Sequence, residues 1–148
     1  MKFNTPTGTI LYSIEQAIKE YRKLCQNNID KTGLDITVDQ ALLLIIISDN
    51  SKLSQKDMAE LLFKDYASIT RMIELMVKKD YIKREINEKD RRRFNLIISN
   101  KGTKSLKALE STILENRRTA LYGLSKNEII QINSGLQKII TNCKIPNQ

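Results

Sequence analysis

The sequence contains no histidine, which removes the side chain that most often acts as a general base and most often binds a metal ion. Its two cysteines, Cys25 and Cys143, lie far apart, and without histidine they cannot complete a zinc site. They indicate no disulfide scaffold, and this cysteine content suits a reducing cytosol. No spacing of serine, lysine or carboxylate residues indicates a catalytic site. We therefore expect a protein that is not an enzyme, uses no cofactor and holds no metal ion.

Long apolar runs are also missing. The longest run, Ala41 to Ile47, is far too short to cross a bilayer, and the N-terminal stretch MKFNTPTGTILYS lacks the apolar segment of a signal peptide. The 148 residues suffice for one ordinary domain that buries most of the surface its unfolded chain exposes. These absences predict a cytoplasmic protein with no membrane partner.

Positive charge is present in excess, and it is concentrated in one segment. The net charge is +8, and between Lys64 and Lys107 thirteen lysines and arginines stand against six aspartates and glutamates, a local net charge of +7. A solvated basic surface is the simplest interpretation of such a charge. Its concentration on one segment favours a polyanionic partner instead, which means DNA or RNA.

Apolar spacing and capping residues predict a mainly α fold with one small β-hairpin. The pairs Thr37 with Gln40 and Ser125 with Glu128 have the spacing of capping boxes, and Ser54 and Asp65 are good first residues for two further helices. The predicted helices cover 9–28, 37–47, 54–62, 65–79, 99–122 and the residues from 125 onward, and the predicted strands cover 81–86 and 94–98. In the third helix Met58, Leu61 and Leu62 are expected to face the core, and in the last helix Cys143 continues an apolar stripe.

The outer helices carry long apolar stripes that a small central module cannot cover. A second copy of the chain could cover them, so we expect a homodimer; in the alternative, these helices fold back on the central module of a monomer. The predicted organisation is an N-terminal dimerisation helix at 1–35, a central lobe at 36–98 and C-terminal dimerisation helices at 99–148.

Three ordered passages between residues 53 and 102 carry a resemblance to a known family. They are LSQKDMAELL at 53–62, DYASITRMIELMVKKDYI at 65–82 and NEKDRRRFNLIISNKG at 87–102. Together they are similar to the first helix, the recognition helix and the wing of the MarR family of winged helix-turn-helix transcriptional regulators. The resemblance implies a DNA-binding regulator, expected to be a repressor, that acts as a homodimer on a pseudo-palindromic operator.

The resemblance also implies roles for individual residues. Ser68, Thr70 and Arg71 would face the major groove, Ala67 could offer an apolar contact, and Tyr66 would stack on a sugar or bind a phosphate. In the wing, Arg92 matches the arginine that enters the minor groove, and Asp90 matches the acidic partner that holds it. The remaining positions are Arg91 and Arg93, as phosphate contacts or strand-face charges, and Ser54, Gln55 and Lys56, as contacts to the DNA backbone.

Control of DNA binding is expected to lie in the outer helices. The resemblance implies a small phenolic or amphipathic effector bound between the dimerisation helices and the DNA-binding lobe, where Tyr12, Tyr21, Leu42 and Ile46 are the candidate lining residues. A thiol switch is the alternative, because Arg22 and Lys23 lie next to Cys25 and could lower its pKa, although Cys25 could equally be an inert buried thiol. A winged-helix module that binds protein or RNA is a further alternative.

Overall fold

A computed structural model describes residues 6–146 of the chain. A short 3₁₀ helix at Pro6–Gly8 is followed by six α-helices and one hairpin within these residues, which confirms the predicted fold class. The elements are α1 (Ile10–Lys31), α2 (Val38–Asp49), α3 (Gln55–Leu61), α4 (Tyr66–Lys78), β1 (Ile82–Ile86), β2 (Phe94–Ile98), α5 (Asn100–Ala120) and α6 (Lys126–Cys143). The chain divides into two compact units, residues 1–116 and residues 117–148. None of the described helices is both long enough and apolar enough to span a membrane.

The helices begin where the capping residues predict. Complete capping boxes are present at Thr37 with Gln40, Ser54 with Asp57, and Ser125 with Glu128. Asp65 caps α4 by accepting a hydrogen bond from the backbone N–H of Ser68. Local sequence therefore determines the starts of four of the six described helices.

The first helix extends three residues beyond the predicted end. Its last turn contains Ile29, which is buried in the core, and Thr32 then donates a hydrogen bond from its backbone N–H to the carbonyl of Ile29. Gly33 follows with φ of +78°, a left-handed conformation that ends helices readily when no Cβ is present. Burial of Ile29 therefore sets the helix end.

Helix α2 lies at the centre of the core, as its nearly uninterrupted apolar sequence predicts. Leu43, Leu44 and Ile47 are almost fully buried in one cluster with side chains from α3, α4, the hairpin and α5. The stripe of α4 contributes Ile69, Ile73 and Met76, and other buried members are Met58, Ile82 and Leu109. This core holds α4 and the base of the hairpin in fixed positions.

The prediction that Leu61 faces the core is wrong. Leu61 is 53% exposed, because the buried face of α3 is centred on Met58, Ala59 and Leu62, and Leu61 projects from its side. Cys143 is exposed, and α6 has no fully buried residue, although Ile129, Leu136 and Ile139 of its apolar stripe are half-buried.

The root of the hairpin is fixed by close packing around Tyr81. The backbone N–H of Ser99 donates to the carbonyl oxygen of Tyr81 at 3.0 Å, and the Ser99 hydroxyl shares its hydrogen between the carbonyl oxygens of Asp80 and Tyr81, at 2.5 and 3.1 Å. Gly102, in the first turn of α5, lies so close that a Cβ added there would stand 2.3 Å from the same oxygen. The antiparallel register pairs Ile82 with Ile98 at the root and Ile86 with Phe94 near the tip. The hairpin therefore has a buried root and an exposed end.

Candidate nucleic-acid interface

The turn between α3 and α4 has a constrained backbone. Phe63 adopts φ of +56°, which bulky residues rarely adopt, although its side chain is 95% exposed. The backbone N–H of Lys64 donates to the carbonyl of Ala59 at 2.9 Å and closes the turn. Asp65 then starts α4, so the three residues from Phe63 to Asp65 decide where α4 begins.

The exposed face at the start of α4 is organised by short-range hydrogen bonds. Asp65 Oδ1 accepts from the backbone N–H of Ser68 at 2.7 Å, and this bond, with that from the Ser68 hydroxyl, lowers the pKa of Asp65. Arg71 Nη2 donates to Ser68 Oγ at 3.2 Å. Tyr66 and Ala67 beside them are exposed. Four of the five α4 residues predicted to contact DNA are therefore exposed or half-buried near the start of the helix.

Thr70, the fifth of these residues, has a different environment. It is half-buried, its hydroxyl donates to the carbonyl of Tyr66 at 3.0 Å, and it accepts a hydrogen bond from Gln55 Nε2. Gln55 was predicted to contact the DNA backbone. The two side chains join α3 to α4, so the Thr70 hydroxyl and Gln55 Nε2 already form hydrogen bonds within the protein.

The other two predicted backbone contacts lie at the start of α3. Ser54 is exposed, and its hydroxyl donates to Asp57 Oδ2 at 2.7 Å as part of the capping box. Hydrogen bonds from the hydroxyl and the backbone N–H of Ser54 lower the pKa of Asp57. Lys56 is exposed next to them. Lys56 is therefore the one of these three residues that carries a charge, and it is exposed to solvent.

We call the hairpin of β1 and β2 the wing. Asparagine and aspartate side chains shape its tip. The side-chain oxygen of Asn87 accepts from the backbone N–H of Lys89 at 2.9 Å, and the backbone N–H of Asn87 donates to the carbonyl of Arg93 at 3.0 Å. Asp90 Oδ1 accepts from the backbone N–H of Arg92 at 3.1 Å. These bonds give the tip a defined backbone, which is what a side chain needs to enter a groove at a fixed angle.

The side-chain partner of Asp90 differs from the one that the resemblance implies. The resemblance implies that Asp90 holds the side chain of Arg92, but its Oδ2 pairs with Arg93 Nε at 3.7 Å, and its only bond to Arg92 is through the backbone. The turn places Arg93, three residues along, over the carboxylate. Arg91 and Arg92 are left exposed at the tip.

An ion-pair junction that the sequence did not reveal joins α1, α2 and the turn before α4. Asp39, in the first turn of α2, pairs with Arg22 Nη2 at 2.5 Å and with Lys64 Nζ at 3.0 Å. Burial alone would raise the pKa of Asp39, but the hydrogen bonds and charges of Arg22 and Lys64 outweigh burial and lower it. Separations of 17 and 25 residues give no periodic signal, so only the packing of α1, α2 and the turn brings these groups together.

Cys25 is buried and unpaired with the other cysteine. The cations expected to act on its thiol are engaged elsewhere: Arg22 with Asp39, and Lys23 with Glu20 at 3.5 Å. Among the described residues, no group of three or more cysteine, aspartate or glutamate side chains is suited to hold a metal ion.

Two of the open surface cavities among the described residues border α1. One, of about 400 Å³, lies between α1 and the start of α2 and is lined by Lys19, Arg22, Lys23, Gln26, Thr37, Val38 and Asp39. The other, of about 530 Å³, lies between α1 and α5 and is lined by Asn28, Lys31, Thr32, Ser111, Thr112, Glu115 and Asn116. Neither lining includes the predicted effector residues Tyr12, Tyr21, Leu42 or Ile46, whose role stays a prediction.

Comparison with known proteins relates this arrangement to one family. A sequence model of the MarR family matches residues 34–93, which run from the loop before α2 to the wing tip. The HTH-type transcriptional regulator SarZ of Staphylococcus aureus is 25% identical over 131 residues, which cover 87% of this chain and 82% of SarZ.

Solved structures share the fold over nearly the whole chain. A DNA complex of MepR from S. aureus has a TM-score of 0.81 and 24% identity, covering 90% of this chain and 98% of MepR. BpsR of Bordetella bronchiseptica, whose DNA binding is described as regulated by 6-hydroxynicotinic acid, has a TM-score of 0.82 and 17% identity, covering 93% of this chain and 97% of BpsR.

Proposed function

Because this chain belongs to the MarR family of DNA-binding, winged helix-turn-helix transcriptional regulators, we propose that it represses transcription as a homodimer bound to a pseudo-palindromic operator. The observation that carries the proposal is the pairing of an exposed polar face on α4 with an exposed arginine tip on the wing. Both belong to the unit of residues 1–116, whose core fixes the start of one and the root of the other.

Each element suits a different groove. The start of α4 offers Ser68, Arg71 and the small Ala67 to base edges in the major groove, with Tyr66 placed for the sugar-phosphate backbone. The wing offers Arg92 to the adjacent minor groove, where a guanidinium is attracted most strongly by the narrow groove of an A·T-rich sequence. Thr70 and Gln55 support this surface by joining α3 to α4.

Exposed apolar side chains on the outer helices support the homodimer. In α1 they are Ile10, Leu11, Tyr12 and Ile18, and in α6 they are Ile130, Ile132 and Ile140. Helices of this length in water draw most of their stability from packing of an apolar face, and a second copy of the chain would supply it. Two-fold symmetry would place the two α4 helices about 34 Å apart, one turn of DNA.

We further propose that a small phenolic or amphipathic effector modulates DNA affinity. The regulation of DNA binding by 6-hydroxynicotinic acid in BpsR, which shares this fold, supports the proposal. An effector acts by its differential affinity for two arrangements of the DNA-binding surfaces. The buried position of Cys25 and the engaged state of Arg22 and Lys23 give no support to the thiol switch.

Selection of bound sequences from a pool of random DNA duplexes tests the proposal. We expect an enriched inverted repeat with half-sites one helical turn apart, bound with an affinity that falls by orders of magnitude between low and moderate salt. Equal binding to random duplex, or preference for single-stranded RNA, would contradict it.

Arg92→Ala tests the wing. We expect a loss of about 1–3 kcal/mol in operator binding, with the dimer intact in light scattering, because a specific minor-groove contact is removed. Arg91→Ala is the matched control, since it removes the same charge at the same tip and should weaken all duplexes uniformly. Equal operator affinity of wild type and Arg92→Ala in a gel-shift titration would refute the wing assignment.

A further inference from the structure

Asp39 forms ion pairs with cations on two other elements, α1 and the α3–α4 turn. Oδ1 accepts from Arg22 of α1 at 2.5 Å, and Oδ2 pairs with Lys64 of the α3–α4 turn at 3.0 Å. One carboxylate therefore connects the N-terminal helix, the start of the central helix α2 and the segment from which α4 begins.

The junction is better placed to hold structure than the other ion pairs of α1. The Asp39 side chain is 24% exposed and that of Lys64 is 30% exposed, whereas Glu15 and Lys19, one helical turn apart, are 67% and 70% exposed. Exposed pairs of the second kind contribute little, because solvent screens them and both side chains must be ordered. Asp39 also lies in the first turn of its helix, where a negative charge is favoured.

Lys64 is adjacent to the residue that starts α4. Asp65 caps that helix, and Phe63 on the other side has the left-handed backbone of the turn. Such a backbone persists only where surrounding contacts hold it. The Lys64 side chain supplies one of those contacts, reaching Asp39 while its backbone N–H bonds the carbonyl of Ala59.

We propose that Asp39 is a positioning residue for operator recognition, which holds the start of α4 against α1 and α2 through Lys64 and Arg22. The inference rests on the proposed function, in which the start of α4 enters the major groove. A groove contact must be held to within about 0.5 Å, so a loosened turn would weaken contacts to bases more than contacts to phosphates.

The proposal and simple electrostatics predict opposite results for Asp39→Asn. Removing a negative charge makes the protein more positive, so electrostatics alone predicts tighter binding to any DNA. Positioning predicts weaker operator binding, by about two- to thirtyfold, the range found when residues remote from a ligand alter its site. Affinity for a random duplex should stay equal or rise, so the ratio of specific to non-specific affinity should fall.

Three comparisons sharpen the test, with each affinity measured by fluorescence anisotropy at one salt concentration. Glu20→Gln removes an exposed acid of α1 and should leave the ratio unchanged. Asp39→Glu keeps the charge and should restore part of the ratio. Lys64→Met should lower the ratio as Asp39→Asn does, and the double variant should lose no more than either single variant.

The outcomes separate this inference from the proposed function. If the wild-type chain does not select an operator, the proposed function fails. If it does, but Asp39→Asn binds the operator as well as or better than wild type, the positioning role of Asp39 is refuted. In Lys64→Met, the slope of log affinity against log salt concentration could also fall by about 1. That result would refute the positioning role, because Lys64 would then be a phosphate contact. A loss of both affinities in parallel, with a lower urea midpoint, would show a purely structural role and would equally refute it.

Discussion

Gly102→Ala should destabilise the protein strongly, although alanine is the better helix former. The added methyl group would stand 2.3 Å from the Tyr81 carbonyl oxygen and 2.8 Å from Ile98 Cγ2. One neighbour is a backbone oxygen, which cannot rotate away. The other is a methyl group of Ile98, the last residue of β2, whose β-branched side chain has few alternative rotamers. The change therefore acts at the root of the wing, where α5 crosses the end of the hairpin.

The magnitude follows from three contributions. Helix propensity favours alanine over glycine by about 1 kcal/mol at most at this early helical position. Overpacking of a buried site costs about 1–3 kcal/mol. Moving the Tyr81 carbonyl also strains the two hydrogen bonds that it accepts from Ser99, each contributing about 1 kcal/mol. We expect a net loss of about 2–4 kcal/mol, which for a chain of this size lowers Tm by about 8–15 °C.

Thermal unfolding at a fixed protein concentration measures this effect. Gly135→Ala is the matched control: Gly135 also lies within a helix, and a Cβ added there meets no atom within 4 Å of the same chain. It should leave Tm unchanged or raise it slightly. A Tm for Gly102→Ala at or above that of wild type would refute the close packing of α5 against Tyr81.

Two further predictions concern the turn and the thiol. Phe63→Asn should raise the free energy of unfolding by up to about 1 kcal/mol in urea titrations, because asparagine tolerates φ of +56° and little burial is lost; a lower midpoint would contradict the strained turn. In a Cys143→Ser background, a thiol reagent should modify Cys25 only after denaturation. Rapid modification of the native protein, or peroxide-induced DNA release that Cys25→Ser abolishes, would instead restore the thiol-switch hypothesis.

The sequence predicts the local parts of this structure well. The capping pairs, the bounds of β2 and the Asp65 cap depend on residues within a few positions of each other, where backbone chemistry leaves few choices. Helix α2 was placed correctly in the core because it is apolar on nearly every side.

Contacts between elements were less accessible to prediction. Whether Thr70 faces DNA or Gln55 depends on the angle between α3 and α4, and the spacing of residues within each helix does not give that angle. Asp90 has neighbouring arginines at positions 92 and 93 as possible side-chain partners, and the backbone conformation of the tip brings Arg93 to its carboxylate. The Asp39 junction required three elements to be packed before it could be seen.

Helix α6 carries a consequence for how the protein responds to its own abundance. None of its residues is fully buried within the chain, and a helix of 18 residues with so little packing is only marginally ordered in water. If a second copy covers it, ordering of α6 is linked to association, and mass action makes stability rise with protein concentration. Dilution should then lower Tm and expose the C-terminal segment to proteases, so that the cellular level of the protein sets its lifetime as well as its occupancy of DNA.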